Sequence, residues 1–143
     1  MHAWIVCLAL VLGVCTTASA STGKSYEHCF LAAAERHTVN PDILRAIASV
    51  ESSNRPHAVN RNPNGSYDYG LMQINSIHLP ELAKYGIGRH DLMEPCVSIH
   101  VAAFLLSRHM RRFGNTWDAI GAYQSVTEGV RQAYAKKVYE HLP

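Results

Sequence analysis

Glu51 stands where a carboxylate is least at home. Leu44, Ile47, Ala48 and Glu51 fall at i, i+3, i+4 and i+7, so a helix through them places the acid on its apolar stripe. Burial against apolar neighbours disfavours the charged form of a carboxyl and raises its pKa, which a general acid working near neutral pH requires. The same spacing also fits an ordinary helix glutamate at the stripe's edge with its head in solvent. A second carboxylate, Asp68, lies in the polar run Asn60-Arg-Asn-Pro-Asn-Gly-Ser-Tyr-Asp68. An aspartate there can bond its own backbone beside a tight turn.

The elements that must position these groups are mainly helical. Tyr26, Phe30, Ala33 and His37 repeat at helical spacing. Asn40-Pro41 is a start signal, an N-cap followed by proline at the first helical position, for a helix ending near Ser53. Residues 54–68 are rich in Asn, Pro, Gly and Ser and read as a long polar loop or small hairpin, with Asn64-Gly65 at its turn. Residues 70–75 are expected to be a short helical segment. A longer helix starts at Pro95, carries Ile99, Ala102, Ala103, Leu106, Met110 and Phe113 on one stripe, and stops at Gly114. Asn115 could cap the next, Trp117 to Gln124, and Val130, Tyr134 and Val138 mark the last.

Residues 1–20 contain no Asp, Glu, Lys or Arg and end Ala18-Ser-Ala20. Their apolar core is about ten residues, too short for a bilayer, which needs roughly 20. They read as a secretory signal cleaved after Ala20, leaving residues 21–143 as one domain without a membrane span. Leu12-Gly-Val-Cys15 loosely resembles a lipobox, although Val14 is bulky for the position before a lipidated cysteine. The net charge of +2 does not argue for nucleic acid. Cys29 and Cys96 remain as an even pair in an exported chain and read as a disulfide, with two buried thiols as the alternative. Such a bridge would contribute roughly 4 kcal/mol on the chain-entropy account. The histidines show no HExxH or other metal-ligand spacing, and no GxSxG or phosphate loop is present, so no metal or cofactor is expected. Arg108, Arg111 and Arg112 form a local basic patch on the long helix, read as a solvated face or as a contact with an anionic wall.

Three segments in order carry a family resemblance: Ile47-Ala-Ser-Val-Glu51-Ser52, Tyr69-Gly-Leu-Met-Gln-Ile74 and Ala119-Ile-Gly-Ala-Tyr123. Together they resemble lytic transglycosylases of the soluble-lytic-transglycosylase type, particularly small ones accompanying conjugation, pilus and type III secretion machines. The resemblance spans about Tyr26 to Tyr139. It implies a lysozyme-like fold in which the hairpin forms one wall of a cleft, and peptidoglycan strands as substrate. It further implies Glu51 as the acid/base, Met72 and Gln73 lining the sugar groove, and the Tyr123 hydroxyl orienting Glu51. Ser52, beside Glu51, is counted among the substrate-binding residues on its place in the motif. After Tyr123 the family continues Asn-Ala-Gly, whereas this chain has Gln124-Ser-Val126, so Gln124 is a further candidate with altered reach. The hairpin, with Gln73-Ile-Asn-Ser76 after it, also resembles that of c-type lysozymes, and Asp68 falls at their second carboxylate, which implies a role as nucleophile or electrostatic stabiliser beside the acid. The expected activity is therefore cofactor-free cleavage of the β-1,4 bond between N-acetylmuramic acid and N-acetylglucosamine by a monomeric periplasmic or secreted enzyme, for local wall opening by such a machine. A 1,6-anhydro product is expected, with hydrolysis or a non-catalytic wall-binding subunit of such a machine as alternatives.

Overall fold

The computed structural model describes residues 26–143; the expected signal segment lies outside the described residues. Six α-helices and three short strands build the domain: α1 (Glu27–His37), α2 (Pro41–Ser52), β1 (Val59–Arg61), β2 (Tyr67–Tyr69), β3 (Ile74–Asn75), α3 (Leu79–Leu82), α4 (Pro95–Phe113), α5 (Trp117–Gly121) and α6 (Glu128–Glu140). Short 3-10 turns at Ser76–His78, Ala83–Tyr85 and Asp91–Met93 join the middle elements. This is the mainly helical fold with a small sheet that the sequence implies. No helix among the described residues is long and apolar enough to cross a membrane.

The start signal of α2 works as written: the Asn40 side chain accepts from the Asp42 N–H at 2.8 Å, with Pro41 in the first turn. Ser53 ends the helix in a left-handed conformation. Leu44, Ile47 and Ala48 are fully buried, so the stripe carrying Glu51 faces the core. Against it runs α4, whose Ile99, Ala102, Ala103 and Leu106 are buried over about two turns. Its last turn leaves the core, where Phe113 lies between the guanidinium groups of Arg112 and Arg131, 4.9 and 5.0 Å from its centroid.

Cys29 and Cys96 are joined, linking α1 to the first turn of α4 across 67 positions of sequence. Since α4 is the element around which the core forms, the link constrains the unfolded chain over most of the cleft-bearing segment. Replacing both cysteines by alanine is expected to cost about 2–5 kcal/mol, read as a lower midpoint in urea.

The polar loop is a hairpin extended by a third strand, in the order β1-β2-β3 and antiparallel throughout. Its connection closes through Asn62 N–H to Ser66 O at 2.8 Å and Gly65 N–H to Asn62 O at 2.9 Å, with Gly65 at φ +87°. Two expectations need correction. Residues 70–75 are not helical: a turn at 70–73 leads into β3, because Gly70 adopts φ +76°, Gln73 adopts φ +50°, and Ile74 pairs with Tyr69. Thr116, not Asn115, caps α5, accepting from the Ala119 N–H at 3.4 Å, and the helix ends at Gly121 rather than Gln124.

Candidate active site

Period-two alternation along β2 sends Asp68 to one face of the sheet and the stacked Tyr67 and Tyr69 rings to the other. Asp68 faces a cleft of about 430 Å³ between the sheet and the helices, and Glu51 lines the same cleft from the end of α2. The two candidate carboxylates thus share one cavity, with the hairpin as one wall.

Their surroundings differ. Burial pushes the Glu51 carboxyl up from 4.5 to about 7, and the nearby Asp68 charge adds to the rise. A hydrogen bond from the Tyr134 hydroxyl to Glu51 Oε1 opposes it, as does the more distant Lys137 charge. Asp68 instead accepts a hydrogen bond at each oxygen, from Asn62 Nδ2 at 2.9 Å and from Asn75 Nδ2 at 2.7 Å. One acid is therefore set to hold a proton near neutrality, while the other sits in a cradle of amide donors suited to a carboxylate. That division of labour serves acid-assisted cleavage of a glycosidic bond.

Tyr134 is the residue that sequence reasoning missed. It entered only as a marker of the last helix, 83 positions from Glu51. A tyrosine on an apolar stripe was the available signal, since a buried phenol needs a hydrogen-bond partner. The role of orienting Glu51 was expected of Tyr123, and this is corrected: the Tyr123 hydroxyl donates to the Met72 carbonyl at 2.8 Å. Its single proton is used there. Tyr123 contributes indirectly, its ring stacking on Tyr134 at 6.4 Å between centroids. Burial raises the pKa of both phenols, so both remain donors.

Three other candidates point inward. Met72 is fully buried in the core and does not line the cleft. Its N–H donates to the buried Ser98 hydroxyl at 3.1 Å, which pins the turn to α4. Ser52, 2% exposed, donates to the Leu71 carbonyl at 2.7 Å and accepts from the Arg55 N–H at 3.1 Å, so its hydroxyl ties α2 to the turn. Gln73 does border the cleft, but its amide is committed. Nε2 donates to Gly70 O at 2.8 Å and Ala58 O at 3.1 Å, while Oε1 accepts from Asn60 Nδ2 at 2.5 Å. An amide with its donors and acceptor bound to the fold shapes the wall and is not free for sugar. Gln124 lines the cleft and is exposed.

Tyr134→Phe tests the new contact. Removing the hydrogen bond that holds the Glu51 carboxyl down is expected to raise its pKa further. Glu51 must be protonated to act as an acid, so the alkaline limb of kcat/KM should move to higher pH, with a loss of about tenfold at the optimum. A pH–rate profile from pH 5 to 9 reads both; an unmoved limb would assign the hydroxyl a purely structural role.

Comparison with known proteins adds to this geometry. Residues 28–140 match the family model described as "Transglycosylase SLT domain". The chain is 40% identical over 126 residues to the invasion protein IagB of Salmonella typhimurium, covering 85% of this chain and 79% of that protein. It is 41% identical over 116 residues to the protein IpgF of Shigella flexneri, covering 78% and 76%. Among solved structures, an inactive mutant of the lytic transglycosylase Slt from Pseudomonas aeruginosa matches with a TM-score of 0.67 at 23% identity. This match covers 82% of the chain but only 23% of that larger protein, and it is a likeness of fold.

Proposed function

The chain belongs to the transglycosylase SLT domain family, and from that premise we propose that it is a peptidoglycan lytic transglycosylase with Glu51 as its acid and base. The observation that carries the reading is a carboxyl pushed to about 7 by burial, in a cleft that also holds Asp68. Glu51 gives its proton to the oxygen between N-acetylmuramic acid and N-acetylglucosamine as that bond breaks. The resulting carboxylate then takes the proton of the muramyl 6-hydroxyl, whose oxygen closes on the anomeric carbon. One proton leaves Glu51 and one returns, and the product is a 1,6-anhydromuramyl end. Asp68 stabilises the positive charge that develops at the anomeric centre.

Mass spectrometry of digested sacculi tests the reaction, since an anhydro end is one water lighter than a hydrated one. Hydrated ends alone would overturn it in favour of a muramidase. Asp68 gives that second reading its support, because a retaining hydrolase uses a carboxylate there as nucleophile or stabiliser. Both Asp68 oxygens already accept amide donors, which favours the electrostatic role. Asp68→Asn is therefore expected to lower kcat by about tenfold to a hundredfold, and a near-complete loss would favour the nucleophile.

That IagB is an invasion protein supports a role in local wall opening for a machine that crosses the wall. The apolar, charge-free residues 1–20 support export ahead of a catalytic domain at 21–143. Sacculi pulled down with the tagged chain, probed for co-purifying machine components, would test that association.

A further inference from the structure

Most of the polar groups that line the cleft are spoken for by the fold. Gln73, Asn62, Asn75 and Tyr123 spend their hydrogen bonds on the sheet, the turn and Asp68. His78 and His109 are different. Both line the cleft, and neither ring has a hydrogen-bond partner among the described residues. They arrive from separate elements, His78 from the 3-10 turn after β3 and His109 from the last third of α4. They lie near enough for His78 to bear electrostatically on His109.

The charge around them is positive. Arg108 acts on both rings, and Arg112 acts on His109. Glu81, the one acid that bears on His78, is held by Arg108 at 2.7 Å. The Arg108 guanidinium packs over the Phe104 ring at 5.7 Å and is not among the residues that line the cleft, whereas both imidazoles are. Glu51, Asp68 and the histidine pair line the same cleft.

Resting on the reading of the substrate as peptidoglycan, we propose that His78 and His109 form a subsite that takes a carboxylate of the peptide stem carried by the glycan. The sugar backbone carries no charge for these N–H groups to single out, whereas a stem carboxylate gains a charge-assisted hydrogen bond from each of two donors. Burial and the arginines lower the pKa of both rings, leaving each a neutral imidazole with one N–H at neutral pH. The subsite thus selects the stem-bearing strand over bare glycan, separately from the chemistry at Glu51.

Binding can be measured without turnover in a Glu51→Gln chain by calorimetry. The probes are a muramyl-peptide tetrasaccharide and the same fragment with its stem carboxyl groups amidated. The tetrasaccharide is expected to bind about tenfold more tightly than its amidated form. Adding His78→Gln and His109→Gln should erase that difference, weakening the first probe about tenfold and leaving the second within twofold. Equal weakening of both probes would assign the pair to sugar recognition, and no weakening would remove it from the site; either overturns the proposal. Thermal unfolding of the same variants shows whether they remain folded; should the double substitution unfold the chain, the discrimination between probes by the Glu51→Gln chain itself decides, and its absence overturns the subsite. Hydrated ends from the active parent would overturn the transglycosylase reaction while leaving the binding comparison intact.

Discussion

Glu51→Gln is expected to abolish measurable lysis of sacculi, a loss of about 10²–10⁴-fold for the acid step alone. The amide is close to isosteric with the protonated carboxyl, and its oxygen can still accept from the Tyr134 hydroxyl. The loss should therefore come without unfolding. Stability adds a sharper signature. The Glu51 pKa is raised in the folded state from 4.5 to about 7, so between those values the native chain binds the proton that the unfolded chain releases. The stabilising contribution is full below pH 4.5, declines as pH rises, and is gone above about 7. Each pKa unit corresponds to about 1.4 kcal/mol, so the parent should lose about 3 kcal/mol over this window relative to the glutamine variant. Urea unfolding at pH 4 and pH 8 reads the difference. Parent and variant should be similar at pH 4, and the inactive variant should be more stable at pH 8. Equal lysis by both chains would remove Glu51 from the mechanism and favour a non-catalytic wall-binding role.

Gly70→Ala is the change expected to harm the fold most. A Cβ at this position would lie 2.0 Å from the Leu92 carbonyl oxygen, 3.0 Å from its carbon and 3.3 Å from Ser98 Oγ. The obstacle is the backbone of Leu92, the buried residue of the Asp91–Met93 turn, which cannot swing aside as a flexible side chain could. Gly70 is also at φ +76°, a conformation disfavoured once a Cβ is present. Its N–H donates to Ala58 O at 2.8 Å and its carbonyl accepts from both the N–H and the side chain of Gln73, so displacing it loosens the whole turn behind the catalytic wall. A loss of more than about 4 kcal/mol, or failure to accumulate as folded protein, is expected. Gly65→Ala supplies the contrast. It too has positive φ, at +87°, but nothing lies within 4 Å of its Cβ, so only the backbone cost of about 1–2 kcal/mol remains. Similar midpoints in urea for the two variants would show that the close approach to Leu92 is not what requires glycine.

The sequence by itself determined the features that depend on neighbours along the chain. Asn40-Pro41 announces α2 because the cap and the proline act within one turn. The 3.6-residue period places Glu51 on the buried face, and Asn64-Gly65 marks a hairpin because the turn needs a residue that tolerates positive φ. What the tertiary structure decided is the identity of partners. Periodicity says which face of α6 is buried, but not that Tyr134 will meet Glu51 across 83 positions. Motif membership likewise says that Ser52, Met72, Gln73 and Tyr123 matter, but not in what way. In the folded chain Ser52 and Tyr123 tie the Leu71 and Met72 carbonyls to α2 and to the segment after α5, the Met72 N–H is held by Ser98 of α4, and Gln73 closes the turn on itself. A buried polar group must find a partner wherever packing places one, and that place is set by the whole core rather than by local sequence.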